Sequence, residues 1–180
     1  MHFAVTDAER TTKPTIILVM GVSGSGKTTI GGMLAGRLGW EYAEADDFHP
    51  ESNLEKMRSG QPLTDEDRWP WLQRIADWID EHLATGTPAV VTCSALKRKY
   101  RDVLRRPKVA LVYLDVDREV LIRRMAARHG HFFPAKLLES QLDDLEPPEP
   151  DEHALCVSAS EGPPARTVQK IIEELGLNGD

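Results

Sequence analysis

Apolar residues along this chain come in two alternating patterns. Thr15 to Met20, Ala89 to Cys93 and Val109 to Leu114 are continuous apolar runs enriched in β-branched residues, which predict strands covered on both faces. Trp40 to Ala45 and Ala154 to Ser158 predict two shorter strands. Between the strands the spacing becomes helical. Ile30, Met33, Leu34 and Leu38 share a face, and Gly39 suits the stop. His49-Pro50 opens a short helix through Met57, with Pro50 at the first helical position and Gly60 ending it. Trp71, Leu72, Ile75, Trp78, Ile79 and Leu83 line one face of a longer helix behind a cap-like acidic cluster at Thr64 to Asp67. That reading requires Pro70 to lie in the first turn or to kink the helix. Lys97 to Arg106, Val120 to Ala127, Ala135 to Leu145 and Ala165 to Leu175 predict the remaining helices. Gly130 to Pro134 interrupts two of these, and the Pro-rich acidic segment Glu146 to Glu152 reads as a loop.

Strands alternating with helices predict an α/β fold, a parallel sheet with helices on both faces, and ligands outside the carboxyl ends of the strands. That rule places the loop at Gly21, the acids around Asp46, Ser94 and Asp115 on one rim. No repeat or second domain is visible: Met1 to Pro14 reads as a flexible tail and residues 15–180 as one domain.

A chain of 180 residues can bury a substantial core. No apolar run approaches the roughly 18 residues needed to span a bilayer, and the N-terminus lacks a signal pattern. The expectation is a soluble, cytoplasmic protein that binds no membrane. Cys93 and Cys156 fall in predicted strands without metal-type spacing, and read as reduced, buried, small hydrophobes. A net charge of -7 with no basic stretch argues against nucleic acid. Any anionic ligand must therefore meet a few convergent Arg and Lys side chains.

The chemistry centres on Gly21-Val22-Ser23-Gly24-Ser25-Gly26-Lys27-Thr28, which follows the first strand and opens a helix. It fits the phosphate-loop pattern in the context that gives the pattern meaning; a Gly-rich turn with a surface lysine is the bland alternative. Such a loop turns its backbone N–H groups inward as an anion nest, completed by the positive end of the helix. Lys27 can reach the terminal phosphates, and the Thr28 hydroxyl is placed to bind Mg2+.

The loop alone does not separate a kinase from a GTPase or a mechanical ATPase. Two features favour a small-molecule kinase. Glu44 and Asp46 stand at alternate positions of a strand end, so one can orient Mg2+-bound water while the other accepts a hydrogen bond from an attacking hydroxyl. Arg124 and Arg128 share a helical face leading into Gly130-His131-Phe132-Phe133, a segment that could close over the nucleotide and bring positive charge to the transferring phosphoryl. His131 by itself reads as a surface or packing residue. Arg68, Lys97 and Arg101 flank the same rim and suit an acidic acceptor, with Arg68 as the anchor. Trp69, Trp71 and Trp78 read as core.

Several runs taken together resemble the gluconokinase family: Met20 to Lys27, Asp46-Asp47-Phe48-His49-Pro50, Asn53 with Glu55-Lys56-Met57, Gly60 to Arg68 with Pro70-Trp71-Leu72, Cys93 to Lys97 with Tyr100-Arg101, and Gly130 to Phe133. The resemblance covers nearly all of residues 16 to 175. It implies ATP-dependent phosphorylation of D-gluconate at its 6-hydroxyl, feeding the pentose phosphate or Entner-Doudoroff routes. It also implies a P-loop kinase fold with the five-stranded parallel core of nucleoside monophosphate and shikimate kinases, a mobile lid at about residues 124–140, ATP with Mg2+, and a homodimer. Carried over by position, the Gly21 to Thr28 loop binds ATP, Asp46 stands beside the acceptor hydroxyl, and Arg124 and Arg128 fall in the lid. Together with the residue-level reading, the candidate set is the loop and Thr29 for ATP, Thr28 for the metal, Lys27, Asp46, Arg124 and Arg128 for catalysis, and Asp46, His49, Arg68, Lys97, Arg101 and His131 for the acceptor. The chain departs from the shikimate kinases in carrying Glu44 where they keep Asp. Its third strand ends in Thr92-Cys93-Ser94 without a Walker B carboxylate, which leaves more of the metal contact to water and Thr28. A shikimate or nucleoside monophosphate kinase on the same core, or an ATP-binding switch, are the rival readings; no Asn-Lys-x-Asp pattern supports a GTPase.

Overall fold

Five parallel strands form one sheet in the order β2-β3-β1-β4-β5, where β1 is Ile16–Met20, β2 Glu41–Glu44, β3 Ala89–Cys93, β4 Val109–Asp115 and β5 Leu155–Ser158. The computed structural model describes residues 13–129 and 135–177. Met1 to Thr12 of the expected tail, and His131 with the rest of Gly130 to Pro134, lie outside the described residues. The helices are α1 (Lys27–Leu38), α2 (Glu51–Arg58), α3 (Asp65–Thr85), α4 (Arg98–Leu104), α5 (Arg118–His129), α6 (Ala135–Asp144) and α7 (Pro164–Glu174). None among the described residues is long and apolar enough to cross a membrane.

The unbroken apolar run of β1 follows from its central place. Ile16, Leu18 and Met20 face a core built with Leu72, Ile75 and Ile79 of α3 and Tyr100 and Leu104 of α4. Ile17 and Val19 face the opposite core, with Ile30 and Leu34 of α1 and Val168, Ile171 and Ile172 of α7. Successive strand side chains point to opposite faces, so a strand between two helical layers has no position left for a polar residue. A third cluster, Val22, Leu96, Leu121, Met125 and Leu138, ties α5 and α6 to the glycine loop.

Three local expectations change. First, α3 starts at Asp65, because the Thr64 hydroxyl accepts the Asp67 N–H and the Asp67 carboxylate accepts the Thr64 N–H, a reciprocal cap. Pro70 therefore sits in the second turn, where it costs the hydrogen bond to the Glu66 carbonyl. Second, Cys93 is buried, which pushes its thiol up to about 12, but Cys156 is exposed because β5 is an edge strand whose residues alternate between core and solvent. Third, Trp69 lies 39% exposed, edge-on to Tyr100. Trp71 is core as expected.

Arg101 is a larger correction. It is not available to a substrate: its side chain is fully buried, donating from Nε and Nη2 to Glu152 at 2.6 and 3.0 Å and from Nη1 to the Ala95 and Leu96 carbonyls. A guanidinium out of water needs both a counter-charge and hydrogen-bond acceptors, and this arrangement supplies both. Each flank carries a non-glycine residue in the left-handed region, Ala95 at φ 41° and His153 at φ 54°. Arg101 thus holds the turn after β3, from which Lys97 emerges. The acidic segment read as a bare loop is the other half of the device: Glu146 accepts the Arg98 N–H at the start of α4, and Asp151 pairs with the Arg98 side chain.

Burial pushes the Glu152 carboxyl up, but hydrogen bonds from Arg101 and the Glu149 N–H outweigh it and leave the group below the ordinary range. Arg101→Met strands Glu152 as an unpaired buried carboxylate and should lower unfolding free energy by about 3–5 kcal/mol in urea titration. The double change with Glu152→Leu should recover much of that loss. Because the folded-state value is depressed, the pair's contribution is full above the ordinary glutamate range and fades as pH falls through the lower folded value.

Candidate active site

The loop from Gly21 to Thr28 joins β1 to α1 on the rim where β2 and β3 also end. Gly24 and Gly26 take φ of 84° and 97°, the left-handed turns that let consecutive N–H groups converge. Gly21 has no room for a side chain, since a Cβ there would stand 2.6 Å from Ser25 Oγ. Lys27 Nζ donates to the Gly21 and Val22 carbonyls at 2.8 and 3.2 Å. The protein packed around this ammonium pulls it below the ordinary lysine range; the charges of Asp46 and Glu44 act in opposition, and that of Arg128 adds to the lowering. A crowded cation held by carbonyls at the mouth of an anion nest fits a polyphosphate.

Glu44 ends β2, and the chain then enters a single 3-10 turn, Ala45–Phe48. Glu44 and Asp46 are therefore not alternate positions of one strand, as the sequence suggests, although both act on Lys27. The turn is held at Ala45, which is buried and whose carbonyl accepts the Trp71 indole N–H at 2.7 Å; the next residue, Asp46, is exposed and its charge acts on Lys27 of the loop. The Tyr42 hydroxyl donates to Glu44 at 2.9 Å and also lies beside the Thr28 and Thr92 hydroxyls. Thr28 and Glu44 thus offer the hard oxygen donors that suit Mg2+ next to a phosphate. No cluster of three or more His, Cys, Asp or Glu able to hold a metal occurs among the described residues, so phosphate oxygens and water would complete such a site.

His49 stacks on Trp71 at 4.4 Å and 11°. The Asn53 amide nitrogen donates to the Asp67 carbonyl at 2.9 Å, so it is also the donor to His49 Nδ1 at 3.2 Å. That assigns the ring proton to Nε2. Burial lowers the His49 pKa, with Asp46 raising it and Arg68 lowering it further, so the ring is neutral and lies within reach of both charges.

Arg68 marks a second pole. Its Nη1 donates to the Tyr100 hydroxyl at 3.1 Å, and that hydroxyl donates to Asp65 Oδ1 at 2.5 Å. Lys99 also pairs with Asp65, and Lys97 Nζ lies 4.0 Å from it. Arg68 and Lys97 stand 5.4 and 5.8 Å from the Tyr100 ring centre. Hydrogen bonds from Lys99 and Tyr100 bring the Asp65 carboxyl down to about 2, while burial and Asp65 push the Tyr100 hydroxyl up to about 12. Three cations around one carboxylate leave an excess of positive charge, which suits an anionic acceptor. Asp65 and Tyr100 fall within the runs that resemble the family but carry no site role in the sequence, because an acid at a helix start reads as a cap and a tyrosine in the first turn of a helix reads as packing.

On the far side of the loop, Arg124 donates from Nη1 to the Gly24 carbonyl at 3.1 Å and from Nη2 to the Ala159 carbonyl at 2.6 Å. It grips the backbone of the loop and of the segment after β5. Arg128 is exposed one turn further along. Gln141 of α6 reaches Ser23, a contact with no counterpart in the sequence reading. Its one visible signal is a polar residue beside Leu138 and Leu142 on the apolar face of α6. The rim thus gathers Lys27, Asp46, His49, Arg68 and Lys97, with Arg124 behind the loop and Arg101 excluded.

Known proteins resemble this chain in sequence and in fold. The family model described as Shikimate kinase matches residues 23–176. A gluconokinase of Gluconobacter oxydans is 48% identical over 165 residues, covering 91% of this chain and 90% of that protein. Among solved structures, a sugar kinase from Janibacter sp. superposes with a TM-score of 0.82 at 48% identity, covering 92% of this chain and 96% of the other. A gluconokinase from Sinorhizobium meliloti gives 0.78 at 44% identity, covering 91% and 92%. With the fold, the phosphate cradle and near full-length similarity in agreement, this chain belongs to the gluconokinase family of P-loop kinases, on the core that family shares with shikimate kinase.

Proposed function

We propose that this protein transfers the terminal phosphoryl of ATP to the 6-hydroxyl of D-gluconate. The observation that carries this reading is the pairing of two poles. One is an open carboxylate, Asp46, beside Lys27; the other is the cluster of Arg68, Lys97 and Lys99 around Tyr100, with neutral His49 in reach of Asp46 and Arg68. Gluconate has the matching form, a carboxylate at one end of a six-carbon chain and a primary alcohol at the other. Similarity to gluconokinases across nine-tenths of the chain supports the same acceptor.

In this reading Arg68 and Lys97 bind the carboxylate, and His49 Nε2–H donates to a hydroxyl of the chain. Asp46 accepts the hydrogen of the 6-hydroxyl as its oxygen bonds to phosphorus, and ADP leaves with the electrons of the broken P–O bond. The loop N–H groups and Lys27 hold the phosphates in line and offset the charge spread over the transferring oxygens. Arg124 steadies the loop through Gly24, and Arg128 adds charge from α5. Thr28 and Glu44 would hold Mg2+, which would supply positive charge to offset that of the phosphates.

The family model bearing the shikimate kinase description motivates a direct comparison of acceptors. Coupled ADP-release assays across gluconate, shikimate and nucleoside monophosphates should show strong stimulation by gluconate alone; stimulation by shikimate instead overturns the acceptor. Asp46→Asn should lower kcat by about 10²–10⁴-fold with the gluconate KM little changed, because the contact strengthens as the proton moves. Equal losses in both would make Asp46 a binding residue. Arg68→Ala should raise the gluconate KM about 10–100-fold, the worth of a hydrogen bond between charged groups. An unchanged KM removes Arg68 from the acceptor site.

A further inference from the structure

The apolar face of α6 docks Leu138 and Leu142, with Leu145 just past its end, into the cluster formed by Val22, Leu96, Leu121 and Met125. Gln141, one turn after Leu138, stands on this face and reaches the phosphate loop. Its Oε1 accepts the Ser23 N–H at 2.6 Å, and its Nε2 donates to Ser23 Oγ at 2.9 Å. The backbone N–H can only donate, so the orientation of the carboxamide is decided: the oxygen faces the N–H and the NH2 faces the hydroxyl. Ser23 Oγ is thereby an acceptor in this pair, and its own hydrogen is left for another partner.

The place of Ser23 says where that partner would be. Lys27 Nζ lies on the carbonyls of Gly21 and Val22, so Ser23 borders the end of the cradle that the lysine serves, where the terminal phosphate is held. We propose that Gln141 is a positioning residue: it makes the Ser23 hydroxyl a hydrogen-bond donor to the transferring phosphoryl, and so makes the seating of α6 part of the catalytic arrangement. The inference rests on the kinase reading above and adds a donor and its orienting residue to it. A donor held in place before the reaction costs no reorganisation during it, which is the condition for stabilising a charge that spreads in the transition state.

Gln141→Glu is the decisive variant because it keeps the shape and both contacts while reversing one of them. A carboxylate still accepts the Ser23 N–H, but it also accepts the Ser23 O–H and turns that hydrogen away from the phosphoryl. Thermal melting should stay near that of the parent protein, while kcat at saturating ATP should fall about 5–10-fold, the scale of one hydrogen bond. Ser23→Ala should produce a similar fall, and adding Gln141→Glu to Ser23→Ala should lower kcat no further. A merely structural latch predicts the opposite: Gln141→Glu with parental kcat, or two losses that multiply. Either result overturns the proposal, as does a Ser23→Ala protein with full kcat, which does not depend on how α6 docks in the glutamate variant. Each rate is measured with gluconate and as acceptor-free ATP hydrolysis. A failure of the gluconate reading removes only the first signal, whereas failure of the Ser23 donor leaves both unchanged by substitution.

Discussion

The structure depends on the full burial of one short strand. β1 sits between β3 and β4 with Met20 level with Cys93 and Tyr113, and both of its faces are closed by helices. Every parallel neighbour must then end on the same rim, and the glycine loop leaves β1 at the centre of that rim. A strand of five residues with no exposed surface cannot slip in register without carrying polar neighbours into the core. The positions of Lys27 and the loop amides are set by this constraint before any ligand is considered.

The distance between the two poles is set by α3. Trp71 holds the Ala45 carbonyl and stacks on His49, so it fixes the turn that presents Asp46. Arg68 lies three residues earlier on the same helix and engages Tyr100 of α4. One helix therefore positions both poles of the proposed acceptor site, and its reciprocal cap at Thr64 and Asp67 keeps its first turn formed beneath Arg68. Asp67 does more than cap: its carboxylate also takes Lys56, and its carbonyl takes Asn53, the residue that sets the His49 tautomer. Side chains that look like separate features in the chain form one hydrogen-bonded frame.

A second group of contacts holds the loop from behind. Arg124 grips Gly24 and the Ala159 carbonyl, Gln141 grips Ser23, and the Val22 side chain joins the cluster of α5 and α6. The helices that flank residues 130–134 are thus connected to the phosphate cradle through side chains as well as through the chain. Arg101 has the matching duty on the side of the proposed acceptor pole, where it fixes the turn ahead of Lys97.

Much of this was legible in the chain because it rests on local rules. An unbroken apolar run means a strand covered on both faces, three glycines around Lys27 mean an anion nest, and a threonine three residues before an acid means a helix cap. Those rules recovered all five strands, the loop and the side of the sheet on which chemistry would gather. Long-range pairings were beyond them. Arg101 and Arg68 are both arginines at helical positions near the same rim, and nothing within either neighbourhood says that one will meet Glu152 across 51 residues in full burial while the other stays open to the site. The same holds for Gln141 and Ser23, 118 residues apart. Sequence by itself determined which elements form and where the phosphate-loop motif falls among them, since those follow from backbone geometry and periodicity. Tertiary structure alone decided which charges are paired, which stay open on the rim and which glutamine contacts the loop, because desolvation and hydrogen-bond partners exist only once distant segments have been brought into contact.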